Sequence, residues 1–159
     1  MPRIDIAGAH DIPHLFAVWQ ASVLATHDFL APADYDFLVP LVEQALHTFT
    51  PLHCVRNAHG RPLAFMGVAG DTIEMLFVDP RHRGQGIGQA LVAFALGELG
   101  ATRVDVNEQN AQALGFYRRM GFETSGRSAQ DPFGKPYPIL HLTLTAPARS
   151  SRSAEDLPA

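Results

Sequence analysis

Gly84, Gly86 and Gly88 stand on alternate positions just after Arg81 and Arg83, between an apolar strand-like run and a longer apolar run. The first run is Thr72–Val78, the linker is Asp79-Pro80-Arg81-His82, and the second runs from Gln89 to Leu99. Strand, glycine loop and helix in that order make an anion site. A helix start has unpaired backbone N–H groups and a partial positive charge. Glycines carry no Cβ, so an anion can approach the backbone closely. Arg81 and Arg83 add cationic donors. The ligand of such a site is a phosphate or a pyrophosphate.

Spacing discriminates between the devices of this kind. A P-loop places Lys and then Ser or Thr after its last glycine. Here Gln89-Ala90 follows, which excludes it. A dinucleotide loop puts its first glycine directly after the strand, in the form G-x-G-x-x-G. Here Asp79 to Arg83 intervene and the glycines run G-x-G-x-G. Asp105 stands where a ribose-binding acid would, so a nicotinamide-dependent oxidoreductase is the weakest of the readings kept.

Leu76-x-Val78-x-Pro80-x-x-Arg83-Gly84-x-Gly86-x-Gly88 resembles the acetyl-CoA signature of the GNAT N-acetyltransferase family, whose R/Q-x-x-G-x-G/A core is met by Arg83, Gly86 and Gly88. Asn110-x-x-Ala113-x-x-Phe116-Tyr117-x-x-x-Gly121-Phe122 resembles the second signature of that family, at the usual distance downstream. The resemblance spans roughly Arg3 to Leu144. It is closest to a small bacterial subgroup, through Trp19-x-x-Ser22-Val23-x-Ala25-Thr26-His27-Asp28-Phe29-Leu30, Asn107-Glu108-Gln109-Asn110 and Gly134-Lys135-Pro136-Tyr137-Pro138.

The resemblance implies an α/β (α+β) fold, a mixed central sheet flanked by helices, with two parallel central strands that splay apart. These would be Thr72–Val78 and Arg103–Val106. It implies acetyl-CoA as cosubstrate, with pantetheine paired along Leu76, Phe77 and Val78. The pyrophosphate would rest on the amides of Gly84, Gln85, Gly86, Ile87, Gly88 and Gln89, with Arg83 and Asn110 nearby. The reaction is attack of a neutral amine on a thioester. It needs a base, donors for the oxyanion and an acid for the thiolate. Tyr117 matches the family tyrosine that serves as the acid, and a backbone N–H near Phe77 the oxyanion donor. The packing alternative for Tyr117 is a buried aromatic beside Phe116. Glu74 and Asp105 are candidate bases, and loss of the proton through water is a third route. Acceptor contacts fall on Trp19, Ser22, His27, Asp28, Phe29 and Tyr137. Trp19 also reads as core, and His27 as a cation at a helix end. Members of the family often form homodimers, and nothing in this sequence decides that.

Composition sets the outer bounds. With 159 residues, 47% hydrophobic and 18% charged, the chain reads as one globular domain over residues 1–145. A Ser-, Ala-, Pro- and charge-rich tail from Ala146 is expected to be disordered. No apolar run is long enough to span a bilayer, and the N-terminus lacks a signal-peptide core. A single cysteine, Cys54, fits a reducing cytoplasm. A net charge of −4 without a basic block argues against nucleic acid. The eight histidines do not join a cysteine cluster, and no metal is expected. His53, Cys54 and His141 read as structural, and no Ser-His-Asp hydrolase motif is recognisable.

The elements that must position these residues follow from periodicity and turn chemistry. A first strand is expected at Arg3–Ala7. Asp11 should cap a helix with a Leu15, Phe16, Trp19, Val23 stripe. A second helix is expected over Asp34–Thr48, broken or kinked at Pro40. A hairpin should join Leu52–Arg56 to Leu63–Ala69 through Asn57–Gly60. Asn110 should cap a helix ending near Gly121, and strands are expected at Phe122–Arg127 and Tyr137–Leu144. The resemblance implies an acetyl-CoA-dependent N-acetyltransferase acting on a primary amine, of a protein lysine or a small molecule. A non-catalytic acyl-CoA-binding or sensing module is the alternative.

Overall fold

The computed structural model describes residues 2–145, and the tail from Ala146 lies outside the described residues. The chain divides into two compact units, one ending at Ala101 and the other beginning at Thr102.

The first unit runs β1 (Ile4–Ile6), a 3-10 turn (Ala9–Asp11), α1 (Ile12–Thr26), α2 (Pro32–Thr48), β2 (Leu52–Arg56), β3 (Pro62–Ala69), β4 (Thr72–Val78), a second 3-10 turn (Pro80–His82) and α3 (Ile87–Glu98). Its four strands pair in chain order, each antiparallel to the next. The β2–β3 turn is held by Asn57, whose Oδ1 accepts from the amides of His59 (2.9 Å) and Arg61 (3.0 Å). Leu15, Val18, Trp19 and Val23 line one face of α1 and pack with Leu46 of α2 and with Leu52, Cys54 and Phe65 of the sheet. Each fully buried aliphatic or aromatic side chain here contributes about 1.5–3 kcal/mol. Burial also pushes the Cys54 thiol up, so it stays protonated and serves as a small apolar group.

Two local expectations need correction. Asp11 precedes α1 but makes no side-chain cap to it. Its carboxylate, 2% exposed, instead accepts both guanidinium arms of Arg56 at 2.7 and 2.8 Å and the Gly8 amide at 2.8 Å. A bidentate cation outcompetes a backbone amide for a buried carboxylate. Arg56 reaches Asp5 as well, at 3.2 Å, so one guanidinium ties together β1, β2 and the turn before α1. The second correction is α2. It starts at Pro32 and continues through Pro40 without interruption. Pro32 is in the first turn, where its missing N–H costs nothing. Pro40 is on the exposed side, where water can satisfy the carbonyl it leaves unpaired.

The second unit runs β5 (Arg103–Asn107), α4 (Ala111–Arg119), β6 (Phe122–Ser128) and β7 (Ile139–Leu144). β7 lies between β5 and β6 and is antiparallel to both. Val104, Val106, Leu140 and Leu142 are buried, while Arg103 and Asp105 alternate with them on the open face. Between Thr124 and Gly126 the β6–β7 register shifts by one residue, which is a β-bulge.

His53 is the exception to good polar pairing. It sits mid-β2, 7% exposed, with its ring 5.0 Å from that of Phe94. Among the described residues, its Nδ1 is the sealed side-chain polar atom without a hydrogen-bond partner. Burial therefore favours the neutral imidazole and pulls its pKa below the usual value.

Removing Asp11 would strand a mostly buried guanidinium. Asp11→Ala is expected to cost about 3 kcal/mol at neutral pH by denaturant unfolding. Arg56 holds the Asp11 carboxyl far below the usual carboxylate range. The contribution is therefore complete above the unfolded value of about 4, and the gap to wild type should narrow as pH falls below it. His53 has the same sign at higher pH. Its neutral form is favoured in the fold, so stability should decline as pH drops below about 6.5. His53→Leu should leave stability at about pH 8 within roughly 1 kcal/mol of wild type and flatten that decline.

Candidate active site

β4 and the loop after it lead into a helix start whose first amides have no side-chain cap. Asp79 ends the strand and turns the chain, its Oδ1 accepting from the Arg81 amide at 3.0 Å. Arg81, expected as a donor to the anion, is instead folded back on Asp79, with Nη2 2.8 Å from Oδ2. This pairing also holds the Asp79 carboxyl below its usual range. Gly84 (φ 77°) and Gly86 (φ 81°) then adopt the left-handed conformation. Gly86 is the N-cap of α3 and offers no side chain to its amides. A Cβ built at Gly84 or Gly86 would meet no heavy atom within 4 Å. Backbone conformation, rather than crowding by the protein, therefore requires glycine there, and the space over the amides is open. The N–H groups of Ile87, Gly88 and Gln89 occupy the first turn, where the helix itself cannot pair them. Such a set of uncapped amides fits a pyrophosphate.

Leu76, Phe77 and Val78 are half-buried on β4, and the Phe77 ring lies 5.6 Å from that of Phe65. Glu74 is exposed, and strand alternation would put it with Leu76 and Val78. The β3–β4 register shifts at this point, with Gly67 opposite Met75 but Val68 opposite Ile73. Glu74 is thus the extra residue of a bulge, and alternation no longer fixes its face.

The end of α1 is close to this loop. His27 closes the helix, with Nδ1 2.7 Å from Thr26 Oγ1 and its ring 5.0 Å from Phe29. Burial lowers its pKa, and the nearby positive charge of Arg83 lowers it further, so the imidazole is neutral at pH 7. Asp28 is exposed and Phe29 half-buried. Trp19 and Ser22 are placed differently from the expected acceptor contacts. Trp19 is 4% exposed and stacks on Tyr35 at 5.6 Å, and Ser22 is buried. Both belong to the wall of α1 rather than to its surface.

In the second unit Asn110 caps α4 as expected, its Oδ1 accepting from the Ala113 amide at 3.2 Å. Tyr117, two turns on, is 6% exposed and sits edge-on between Phe116 (5.1 Å) and Phe122 (5.7 Å). Burial pushes its phenol well above the usual value, so the hydroxyl stays protonated. Tyr137 is buried in the turn before β7. Asp105, weighed as a base, accepts from or pairs with His141 Nδ1 at 2.7 Å, and His141 Nε2 lies 2.7 Å from Ser128 Oγ. Sequence reasoning missed this alignment, because the three residues are joined only by strand pairing. His10 and His14 stand four residues apart, but among the described residues no three His, Cys, Asp or Glu side chains gather to hold a metal. No helix among the described residues is long and apolar enough to cross a membrane.

The two kinds of glycine in this segment should respond oppositely to alanine. Gly86→Ala forces a Cβ into the left-handed region and is expected to cost about 1–2 kcal/mol. Gly97, inside α3 with open space around it, should gain about 0.5–1 kcal/mol on the same change. Denaturant unfolding of both variants checks the pair.

Residues 51–124 match the acetyltransferase (GNAT) domain family. The peptidyl-lysine N-acetyltransferase YjaB of Salmonella typhimurium is 47% identical over 128 residues, covering 80% of this chain and 88% of that protein. The Escherichia coli YjaB is 44% identical over 80% of this chain and 86% of its own length. The solution structure of apo YjaB from Escherichia coli superposes with a TM-score of 0.85 at 40% identity, over 91% of this chain and 98% of that one. The fold is the expected α/β one, strands flanked by helices, and is shared with that relative. The chain belongs to the GNAT acetyltransferase family, and it is an acetyl-CoA-dependent N-acetyltransferase.

Proposed function

We propose that the acceptor is the side-chain amine of a protein lysine, and that this chain falls in the YjaB-like subgroup marked by its Trp19–Leu30 segment. The observation that carries the reading is the near-half identity to relatives named for that activity. We take the two units as one functional domain, a reading supported by a family match that runs across residue 101.

Each unit contributes defined parts. Bound acetyl-CoA supplies the electrophilic thioester carbonyl. In the first unit, the uncapped amides of Ile87, Gly88 and Gln89, with Arg83, Gly84, Gln85 and Gly86, would hold the pyrophosphate. The backbone of Leu76, Phe77 and Val78 would pair the pantetheine, and the Phe77 amide would face the oxyanion. Asn110 in the second unit holds the start of α4 and so the position of Tyr117. The protonated Tyr117 hydroxyl is the proton source for the departing thiolate. Glu74, exposed on the β4 bulge, accepts a proton from the lysine ammonium and so releases the neutral amine that attacks the thioester. His27, Asp28 and Phe29 form the acceptor contacts, with the neutral His27 able to accept a hydrogen bond from the amine. Tyr137 supports the same role from the turn before β7.

Thiol release from acetyl-CoA should depend on lysine-containing peptides and exceed that with polyamines or free amino acids. Tyr117→Phe should lower kcat by at least about 100-fold while changing coenzyme A affinity by less than about threefold. A preference for a small amine would overturn the lysine assignment. Tight acetyl-CoA binding with no amine-dependent release would favour the binding-module alternative.

A further inference from the structure

We propose that Ser128, His141 and Asp105 form a second reactive site, a serine nucleophile that takes acyl groups from activated esters and thioesters. The three side chains stand in line across the β5–β7–β6 sheet. Asp105 Oδ1 is 2.7 Å from His141 Nδ1, and His141 Nε2 is 2.7 Å from Ser128 Oγ. One tautomer satisfies both contacts. Nδ1–H donates to the carboxylate, and the bare Nε2 accepts the serine hydroxyl proton. This is the functional order of a nucleophile, a base and a group that orients the base.

Strand register creates the alignment. Asp105 is directly opposite His141 on β5–β7. On the other side, Thr124 pairs with Leu142, and an unbroken ladder would then bring Arg127 onto the face of His141. The bulge between Thr124 and Gly126 shifts the count by one residue, so Gly126 faces His141 and Ser128 faces Ile139. Arg127 is turned to the other face, where it pairs with Glu108 at 2.7 Å. Ser128 takes its place diagonal to His141. A bulge that re-aims one side chain is a recurrent feature beside reactive groups. Gly126 leaves the imidazole uncrowded, since even a Cβ there would come no nearer than 3.5 Å to His141 Cδ2. The His141 and Asp105 side chains keep 38% and 57% exposure, so a small acyl donor can reach the line.

The reaction balances without a further reagent. Ser128 Oγ bonds to the acyl carbon while its proton passes to His141 Nε2. The bond from carbon to the leaving oxygen or sulfur breaks, and the imidazolium returns the proton to that atom. Water, deprotonated by the same imidazole, then releases the carboxylic acid and restores the serine.

The test uses the full-length protein without coenzyme A, so its outcome is independent of acetyl transfer to lysine. The protein is treated with a fluorophosphonate and, separately, with p-nitrophenyl acetate, and adducts are located by peptide mass mapping. The expected result is an adduct on Ser128 that forms at least tenfold more slowly in His141→Gln and at least threefold more slowly in Asp105→Asn. Ser128→Ala should abolish labelling at that position. Ser125→Ala should keep it, because Ser125 is exposed on the same strand but bonds the His141 carbonyl and Thr143 rather than the imidazole. Thermal unfolding by circular dichroism confirms that each variant is folded. No Ser128 adduct, or one whose rate is the same in folded His141→Gln, would overturn the proposal and leave the three groups as a cross-strand hydrogen-bond ladder.

Discussion

The unpaired amides at the start of α3 are the constraint around which the first unit is organised. A helix cannot satisfy its own first N–H groups, and a protein usually supplies a side-chain cap. Here the N-cap is Gly86 in a left-handed conformation, which leaves the amides without a side-chain cap, as the proposed pyrophosphate contact requires. Everything immediately upstream serves that arrangement. Asp79 ends β4 and ties back Arg81, and the two left-handed glycines bring the chain round into the helix. The same Asp79–Arg81 pairing holds one cation back on the turn, while the charge of Arg83 helps keep His27 neutral.

The scaffold behind this loop is rigid for a different reason. α1 lies on the sheet through a continuous apolar face, and Trp19 joins it to α2 by stacking on Tyr35. The polar clamp at the other end is Arg56, which holds Asp11 and Asp5 together. Burying such a pair costs desolvation, and its value is greatest as a device that fixes how the turn before α1 meets β1 and β2. The proposed acceptor contacts, His27 to Phe29, sit where α1 stops, just beyond this packed part.

Bulges appear at both chemically loaded strands. In β4 the extra residue is Glu74 itself, which breaks the β3 ladder beside the proposed pantetheine strand. In β6 the shift exchanges Arg127 for Ser128 on the face of His141. A one-residue slip in a strand turns each later side chain to the opposite face, so each bulge decides which groups can meet.

The sequence by itself determined the order of the elements, because periodicity, turn residues and caps are local. The β2 and β4 limits, the Asn110 cap and the glycine loop leading into α3 were all legible from neighbouring residues. So was the family, since its two signatures are contiguous strings. What tertiary structure decided were the partners of groups far apart in the chain. Asp11 looked like a cap until Arg56, forty-five positions on, took its carboxylate. Trp19 and Ser22 shared a helix face with polar neighbours, yet packing buried both. Pro40 read as a break or a kink, and the helix runs through it unbroken, because its exposure lets solvent satisfy the freed carbonyl. The Ser128–His141–Asp105 line has no sequence signature, because its geometry rests on strand pairing and on one extra residue in β6. Local pattern fixes backbone conformation, whereas competition for buried charge and the register of strands are settled only when distant segments meet.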